Sequence, residues 1–231
     1  MRLIWSLILA PFLFTSTLFA QDRPVVIELF TSQGCSSCPP ADAFLHELAA
    51  RDDVVALALH VDYWDYIGWK DIFADPSHTK RQRAYAKAAG KRMIYTPQMV
   101  INGQDHVVGN RPKDVEKILR RHRSTPRQVE VSLSRRGNRV KVVANALSNI
   151  DTPLVVQVAR YKPKSTVDIT HGENGGRTLS YSNVVTDWSE VARWDTRDPL
   201  SIETRAPGDQ PVVVILQRPD HGPIEGVAIL R

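Results

Sequence analysis

Two cysteines occur in the 231 residues, three positions apart, as Cys35-Ser36-Ser37-Cys38. That spacing suits a reversible disulfide. The pair lies on the turn between an apolar run, Val25–Phe30, and a helix-like stretch, Ala41–Ala50. A thiolate at a helix N-terminus meets free backbone N–H groups and the positive end of the helix dipole, so its pKa falls and it becomes reactive. Two other chemistries compete. A structural staple closing so small a loop contributes roughly 2 kcal/mol, against about 4.7 kcal/mol for a 100-residue loop. Structural zinc wants four N or S ligands, and no second Cys or Cys/His pair accompanies this one. Thiol–disulfide exchange is the reading we carry forward. Cys35 is assigned as the more exposed nucleophile and Cys38 as the thiol that resolves the mixed disulfide. Pro39 and Pro40 lack N–H groups and each disfavours helix in the residue before it, which points to Pro40 as the first helical residue and leaves Cys35 a turn ahead.

Other residues are candidates to complete such a site. Glu28 interrupts the apolar run; buried near the cysteines it could relay protons, and at a partly exposed position it would be an ordinary strand acid. His60-Val61-Asp62-Tyr63-Trp64-Asp65-Tyr66-Ile67-Gly68-Trp69 is dense in aromatics and follows a second apolar run, Val54–Val61. Parallel strands deliver their C-terminal ends to the edge where ligands bind, so Trp64 and Tyr66 could line a client groove, with Asp62 or Asp65 as polar markers. Core packing is the alternative for these aromatics. Thr96-Pro97 enters another strand, a place where proline is tolerated. The basic runs Lys80-Arg81-Gln82-Arg83 and Arg120-Arg121-His122-Arg123 read as solvated helix faces. His171-Gly172-Glu173-Asn174-Gly175-Gly176-Arg177 reads as a turn between strands, with a binding loop as the alternative.

These residues are set in two stretches of different pattern. In residues 24–123, Val25–Phe30 is apolar enough for a strand covered on both faces. Ala41, Phe44, Leu45 and Leu48 share a helical face, and Val54–Val61 is a second parallel strand. Gln98–Ile101, Asn102-Gly103 and His106–Val108 form a hairpin, Asn-Gly being a strong turn signal. Pro112 opens a last helix. The order β-α-β, insertion (about 62–95, helical around Thr79–Ala89), β-β-α is that of an α/β thioredoxin-like domain, assigned to residues 21–124. From Thr125 short strands alternate with Pro, Gly and Asn, which predicts an all-β, antiparallel sandwich-like domain over residues 125–231. Residues 1–20 have a basic start, an apolar core and a small residue, Ala20, before Gln21, the pattern of a cleaved signal peptide. No later segment approaches the roughly 20 apolar residues of a membrane span. Losing Arg2 with the leader takes the formal charge from +5 to +4, no argument for nucleic acid.

The stretch Glu28-Leu29-Phe30-Thr31-Ser32-Gln33-Gly34-Cys35-Ser36-Ser37-Cys38-Pro39-Pro40-Ala41-Asp42 resembles the opening motif of a bacterial secreted thioredoxin-like family known only as a domain of unknown function. The resemblance continues through His60–Asp65, Gly68-Trp69, Arg81-Gln82, Tyr85, Thr96-Pro97, Gly172–Leu179 and Asn183-Val184-Val185. It implies a thioredoxin-like fold, with Thr96-Pro97 as a cis peptide facing the disulfide and binding the client backbone. One departure from better-known thioredoxins is plain, since Gly34 stands where a Trp precedes the first cysteine. The function expected is an exported thiol–disulfide oxidoreductase, periplasmic or secreted, exchanging Cys35–Cys38 with protein clients and an unidentified redox partner. Catalysis would fall to Cys35 and Cys38, and client binding to Thr96, Pro97 and Trp64. No cofactor and no resident metal are expected. Two alternatives stay open: a soft-metal protein holding Cu(I) on the thiolates with help from Met93, Met99 or His60, and an interaction module with a structural disulfide.

Overall fold

The computed structural model describes residues 24–231; the leader expected over residues 1–20 lies outside them. Strand β1 (Val25–Thr31) is buried along its whole length, as its apolar sequence requires. It pairs in parallel with β2 (Val54–His60), from Val25 opposite Val54 to Thr31 opposite His60. Helix α1 (Pro39–Ala49) makes the crossover between them. After a short 3-10 turn at Asp65–Ile67 comes α2 (Pro76–Ala88), capped by Asp75, whose Oδ1 accepts from Ser77 N at 2.7 Å. Strands β3 (Gln98–Ile101) and β4 (Asp105–Val108) form the expected hairpin. Its turn residues Asn102 and Gly103 have φ of 51° and 71°, which is what an Asn-Gly turn supplies. Helix α3 (Pro112–Arg123) follows.

Because side chains alternate along a strand, β1 serves two cores. Ile27 and Leu29 pack with Leu45 and Leu48 of α1 and with Val115 and Leu119 of α3. Val26 and Phe30 pack with Tyr85 of α2 and with residues from the far half of the chain: Ala159, Tyr161, Val185, Val213 and Ile215. The second half comprises β5 (Val129–Arg136), β6 (Arg139–Ala146), β7 (Leu154–Ile169), β8 (Arg177–Trp194), β9 (Leu200–Arg205), β10 (Val212–Gln217) and β11 (Ile224–Leu230). Strands β5, β6 and β9 make a three-stranded sheet; the others join the first half in one eight-stranded sheet, ordered β11-β10-β7-β8-β2-β1-β3-β4. The join is parallel, at Ala58 opposite Val184.

The pattern change at Ser124–Pro126 therefore marks a change of strand pairing and not a break in the sheet. The three-stranded sheet covers the outer part of the large one, with Val140, Val142 and Ala144 against Val156, Val158, Val212, Val214 and Leu216. Strand β10 is thus covered on both faces, which explains its unbroken run Val212–Leu216. The long hairpin β7–β8, 16 and 18 residues, was not apparent from the sequence beyond Leu154–Val158. The end of β7, Ser165–Ile169, alternates buried and exposed positions, whereas β8 exposes consecutive residues, and both strands carry many polar residues. No helix among the described residues is long and apolar enough to cross a membrane.

Candidate functional site: a closed dithiol loop under a hairpin tip

Helix α1 starts at Pro39, one residue earlier than the prolines suggested, with Cys38 as its N-cap. Proline is compatible with a first helical position because the N–H it lacks has no intrahelical partner there. Cys35 and Cys38 form a disulfide with Cα atoms 5.4 Å apart. The loop is closed by backbone bonds: Cys38 N donates to Cys35 O (3.2 Å), Cys35 N to Ser32 O (3.2 Å), and Ala41 N and Asp42 N to Cys38 O. The expectation of a more exposed Cys35 needs correction, because Cys35 is 1% and Cys38 0% exposed while Ser36 and Ser37 between them face solvent. Ser37 Oγ lies 3.4 Å from Cys35 Sγ.

Gly34 has a steric reason. A Cβ there would stand 3.2 Å from Trp64 Cβ and 3.3 Å from Trp64 O and Ile67 Cδ1. The space beside the first cysteine is thus filled by Trp64, arriving from the loop after β2. The Trp64 indole donates to Thr96 Oγ1 at 2.8 Å, and the Thr96–Pro97 peptide is cis. The structure therefore brings the expected Trp64, Thr96 and dithiol loop together. Tyr66 is 82% exposed, and Asp62 accepts from Thr79 Oγ1 at 2.5 Å.

Behind the loop lies a buried polar cluster that sequence reading passed over. Asp42, in the first turn of α1, accepts from Thr31 Oγ1 at 2.8 Å, and its other oxygen has no hydrogen-bond partner. Burial pushes its carboxyl up to about 7, against the pull of His60 and the Thr31 bond; Asp71 adds to the rise. His60 Nδ1 bonds Asp71 Oδ2 at 2.7 Å, and that same oxygen accepts from Gln33 N at 2.8 Å, tying the cluster to the dithiol loop. Phe73 and Tyr181 pack edge-on against His60, and both His60 Nε2 and Tyr181 Oη are buried without partners. An open groove of about 820 Å³, lined by Pro39, Pro40, Asp42, His46, Arg177 and Ser180 among others, runs past the start of α1.

Glu28 is not the partly exposed strand acid of the alternative reading. It is fully buried and its carboxylate is occupied: Arg81 donates to it through Nε at 2.6 Å and Nη2 at 3.0 Å, and Tyr85 Oη at 2.5 Å. Arg81 also donates to Gln157 and Gln217 and lies 3.9 Å from the centre of the Trp188 ring. The solvated-face reading of Lys80–Arg83 is corrected accordingly: Lys80 and Arg83 face solvent, whereas Arg81 and Gln82 are buried. In the second basic run Arg120, Arg121 and Arg123 are exposed and His122 is buried, bonded to Asp105 at 2.6 Å.

The tip of the β7–β8 hairpin, expected to be a simple turn, lies against the dithiol loop. Asn174, 1% exposed, donates its amide to Gln33 O at 2.9 Å and Cys35 O at 3.0 Å. Arg177 Nη1 donates to Asn174 Oδ1 at 2.8 Å and so orients the amide. Glu173 Oε2 accepts from Ser36 N at 3.3 Å. The tip is seated by Gly172, with φ 76°, where a Cβ would come within 3.1 Å of Trp69 Cβ; the Trp69 indole in turn donates to Gln33 Oε1 at 2.8 Å. The available signal was the glycine-rich run 172–176, too generic to name its contact.

The residues proposed for copper have separate surroundings. Met99 is buried in the α1–α3 core, His60 is held by Asp71, and Met93 is 80% exposed. Among the described residues no group of three or more His, Cys, Asp or Glu is placed to hold a metal ion.

Comparison with known proteins adds a family and a fold. A crystal structure of an Agrobacterium tumefaciens protein, a structural genomics target, is 35% identical; the match covers 91% of this chain and 96% of that one, with a TM-score of 0.78. The structure of HBP35 of Porphyromonas gingivalis is similar in fold at 16% identity, over 90% of this chain and 75% of that one, with a TM-score of 0.57. No curated protein matches the chain. The family described as "Protein of unknown function (DUF1223)" matches residues 26–217, and the chain, with its cysteine turn and its covering hairpin tip both inside that span, belongs to this family.

Proposed function

We propose that the protein is an exported, thioredoxin-like thiol–disulfide oxidoreductase acting on protein clients. The observation that carries this reading is the Cys35–Cys38 disulfide at the N-terminus of α1, with Asp42, a carboxyl that burial pushes up to about 7, one helical turn beyond Cys38. In the oxidising direction a client thiolate attacks Cys35 Sγ, the Cys35–Cys38 bond breaks, and Cys38 leaves with the electron pair. A second client thiol then attacks the client sulfur and releases Cys35, so two electrons have passed to the protein. The reducing direction is the reverse: Cys35 thiolate attacks the client disulfide, and Cys38 gives up its proton and resolves the mixed disulfide. Asp42 is suited to hold that proton near pH 7. Trp64 stands beside Gly34 and donates to Thr96, which supports a client path along Trp64, Thr96 and Pro97.

The test is Cys38→Ser in the mature protein, which should accumulate a mixed disulfide through Cys35; absence of a trapped species under every redox condition would refute the reading. A second reading, a purely structural disulfide, is favoured by the burial of both cysteines. The reduction potential separates the two. A value between about −120 and −270 mV belongs to an exchanging pair, and one below about −300 mV to a structural one.

A further inference from the structure

We propose that the tip of the β7–β8 hairpin is a working part of the dithiol site: Asn174 is a positioning residue that holds the loop closed over its disulfide, and Glu173 opposes formation of the Cys35 thiolate. This rests on the redox reading above and assigns to the second half of the chain a share in it.

The argument begins with access. A disulfide exchanges only when an attacking sulfur reaches it, and here both cysteines are buried while the residues between them are not. To the loop's own backbone bonds are added contacts from 139 and 141 residues further along the chain, through the Asn174 amide to Cys35 O and Gln33 O. The amide is buried, so these bonds are shielded from competing water, and Arg177 fixes which way it points. A movement of the Gln33–Cys35 backbone that uncovers Cys35 Sγ therefore stretches or breaks the Asn174 bonds. Losing two ordinary hydrogen bonds corresponds to a change in the open population of roughly five- to 150-fold.

Glu173 acts on charge. Backbone N–H groups at the start of a helix are what lower a thiol's pKa there, and Pro39 and Pro40 have already removed two of them. Ser36 N, inside the loop, donates to the Glu173 carboxylate. A donor and a region of positive potential that would serve a Cys35 thiolate are thus engaged by a fixed negative charge. Destabilising the thiolate destabilises the reduced protein and makes the pair more reducing. Glu173 is exposed, so the influence is screened by salt.

The experiment uses the mature full chain and the variants Asn174→Ala and Glu173→Gln, equilibrated with defined glutathione buffers and timed during reduction by dithiothreitol. Asn174→Ala should speed reduction about tenfold, equally at low and high salt. Glu173→Gln should raise the thiolate fraction of Cys35, read from the pH profile of iodoacetamide alkylation, and shift the equilibrium two- to fivefold toward the reduced protein. That shift should shrink in about 1 M salt, where the Debye length is about 3 Å. If the wild type exchanges readily and neither variant moves rate or equilibrium, the proposal falls and the redox reading stands. If the wild type and both variants resist reduction alike, the redox reading falls and takes the proposal with it. A wild type that resists while Asn174→Ala exchanges would support the clamp directly. Should Asn174→Ala fail to fold, Glu173→Gln, at an exposed position, decides by its salt-dependent equilibrium.

Discussion

Asp42→Asn offers a quantitative test of the buried cluster behind the dithiol loop. Asp42 is buried in the first turn of α1, one oxygen on Thr31 and the other without a partner, and its carboxyl is pushed from 3.8 to about 7 by burial. Below pH 3.8 the carboxyl is protonated in both folded and unfolded chains. As the pH rises the unfolded chain ionises first, so the wild type loses stability at up to about 1.4 kcal/mol per pH unit, and the loss levels off once the folded carboxyl ionises near pH 7. The accumulated loss is on the order of 4 kcal/mol. An asparagine keeps the oxygen that accepts from Thr31 and cannot ionise, so it escapes this loss. The variant should match or slightly trail the wild type at pH 4 and exceed it by about 4 kcal/mol at pH 8. The comparison cancels the titration of groups the two proteins share; His60 favours the ionised form and Asp71 opposes it. Urea unfolding of the oxidised proteins is the assay. With a slope of about 2–3 kcal/mol/M, the midpoints should separate by roughly 1.5 M at pH 8 and nearly coincide at pH 4. A midpoint difference that stays constant from pH 4 to 8 would refute the assignment of a near-neutral carboxyl at Asp42.

Three further outcomes are expected. Arg81→Met leaves the Glu28 carboxylate buried with Tyr85 but no cation, and should cost about 3–5 kcal/mol in the same titration; adding Glu28→Gln should recover part of that, and a loss under about 1 kcal/mol would show the pair to be dispensable. Gly34→Ala drives a methyl group against Trp64 and should cost about 1–3 kcal/mol and alter tryptophan emission; an unperturbed stability and spectrum would mean that Trp64 does not fill the space beside Cys35. Because one sheet and one core span both halves, thermal unfolding followed by far-ultraviolet dichroism and by tryptophan fluorescence should give coincident transitions; two separated transitions would argue for independent domains.

What could be read in the sequence is what neighbouring residues decide among themselves. The continuous apolar run of β1, the helix after Cys38, the Asn-Gly hairpin and the proline-led α3 each follow from side-chain periodicity or local backbone preference acting over a few residues. The pairing of Cys35 with Cys38 is equally local, since three residues of separation keep the two sulfurs within reach. Long strand β8 escaped notice because a strand that exposes much of one face to water needs apolar residues only at intervals, and the partners that cover its buried side are distant in the chain.

The polar residues show most clearly where local information stops. Burying a charge costs more than burying an apolar group unless a partner meets it, so whether an acid or a base is solvated depends on what the fold delivers to it. Glu28 looked equally fit for a proton relay or an exposed edge until Arg81 arrived from α2, 53 residues on. Asp42 carries no local sign of its burial; Thr31 and the sheet enclose it only in the fold. Glycine-rich 172–176 looked like a turn, and it is one; only the parallel join of β8 to β2 brings its tip over the cysteines. The chemistry available at the dithiol turn is legible locally, because the reacting groups are three residues apart. How that turn is closed, charged and reached emerges only in the folded chain, because its own backbone bonds are joined by Trp64, Asp71 and the Asn174 tip, groups about 30 to 140 residues away that meet it only after the sheet has formed.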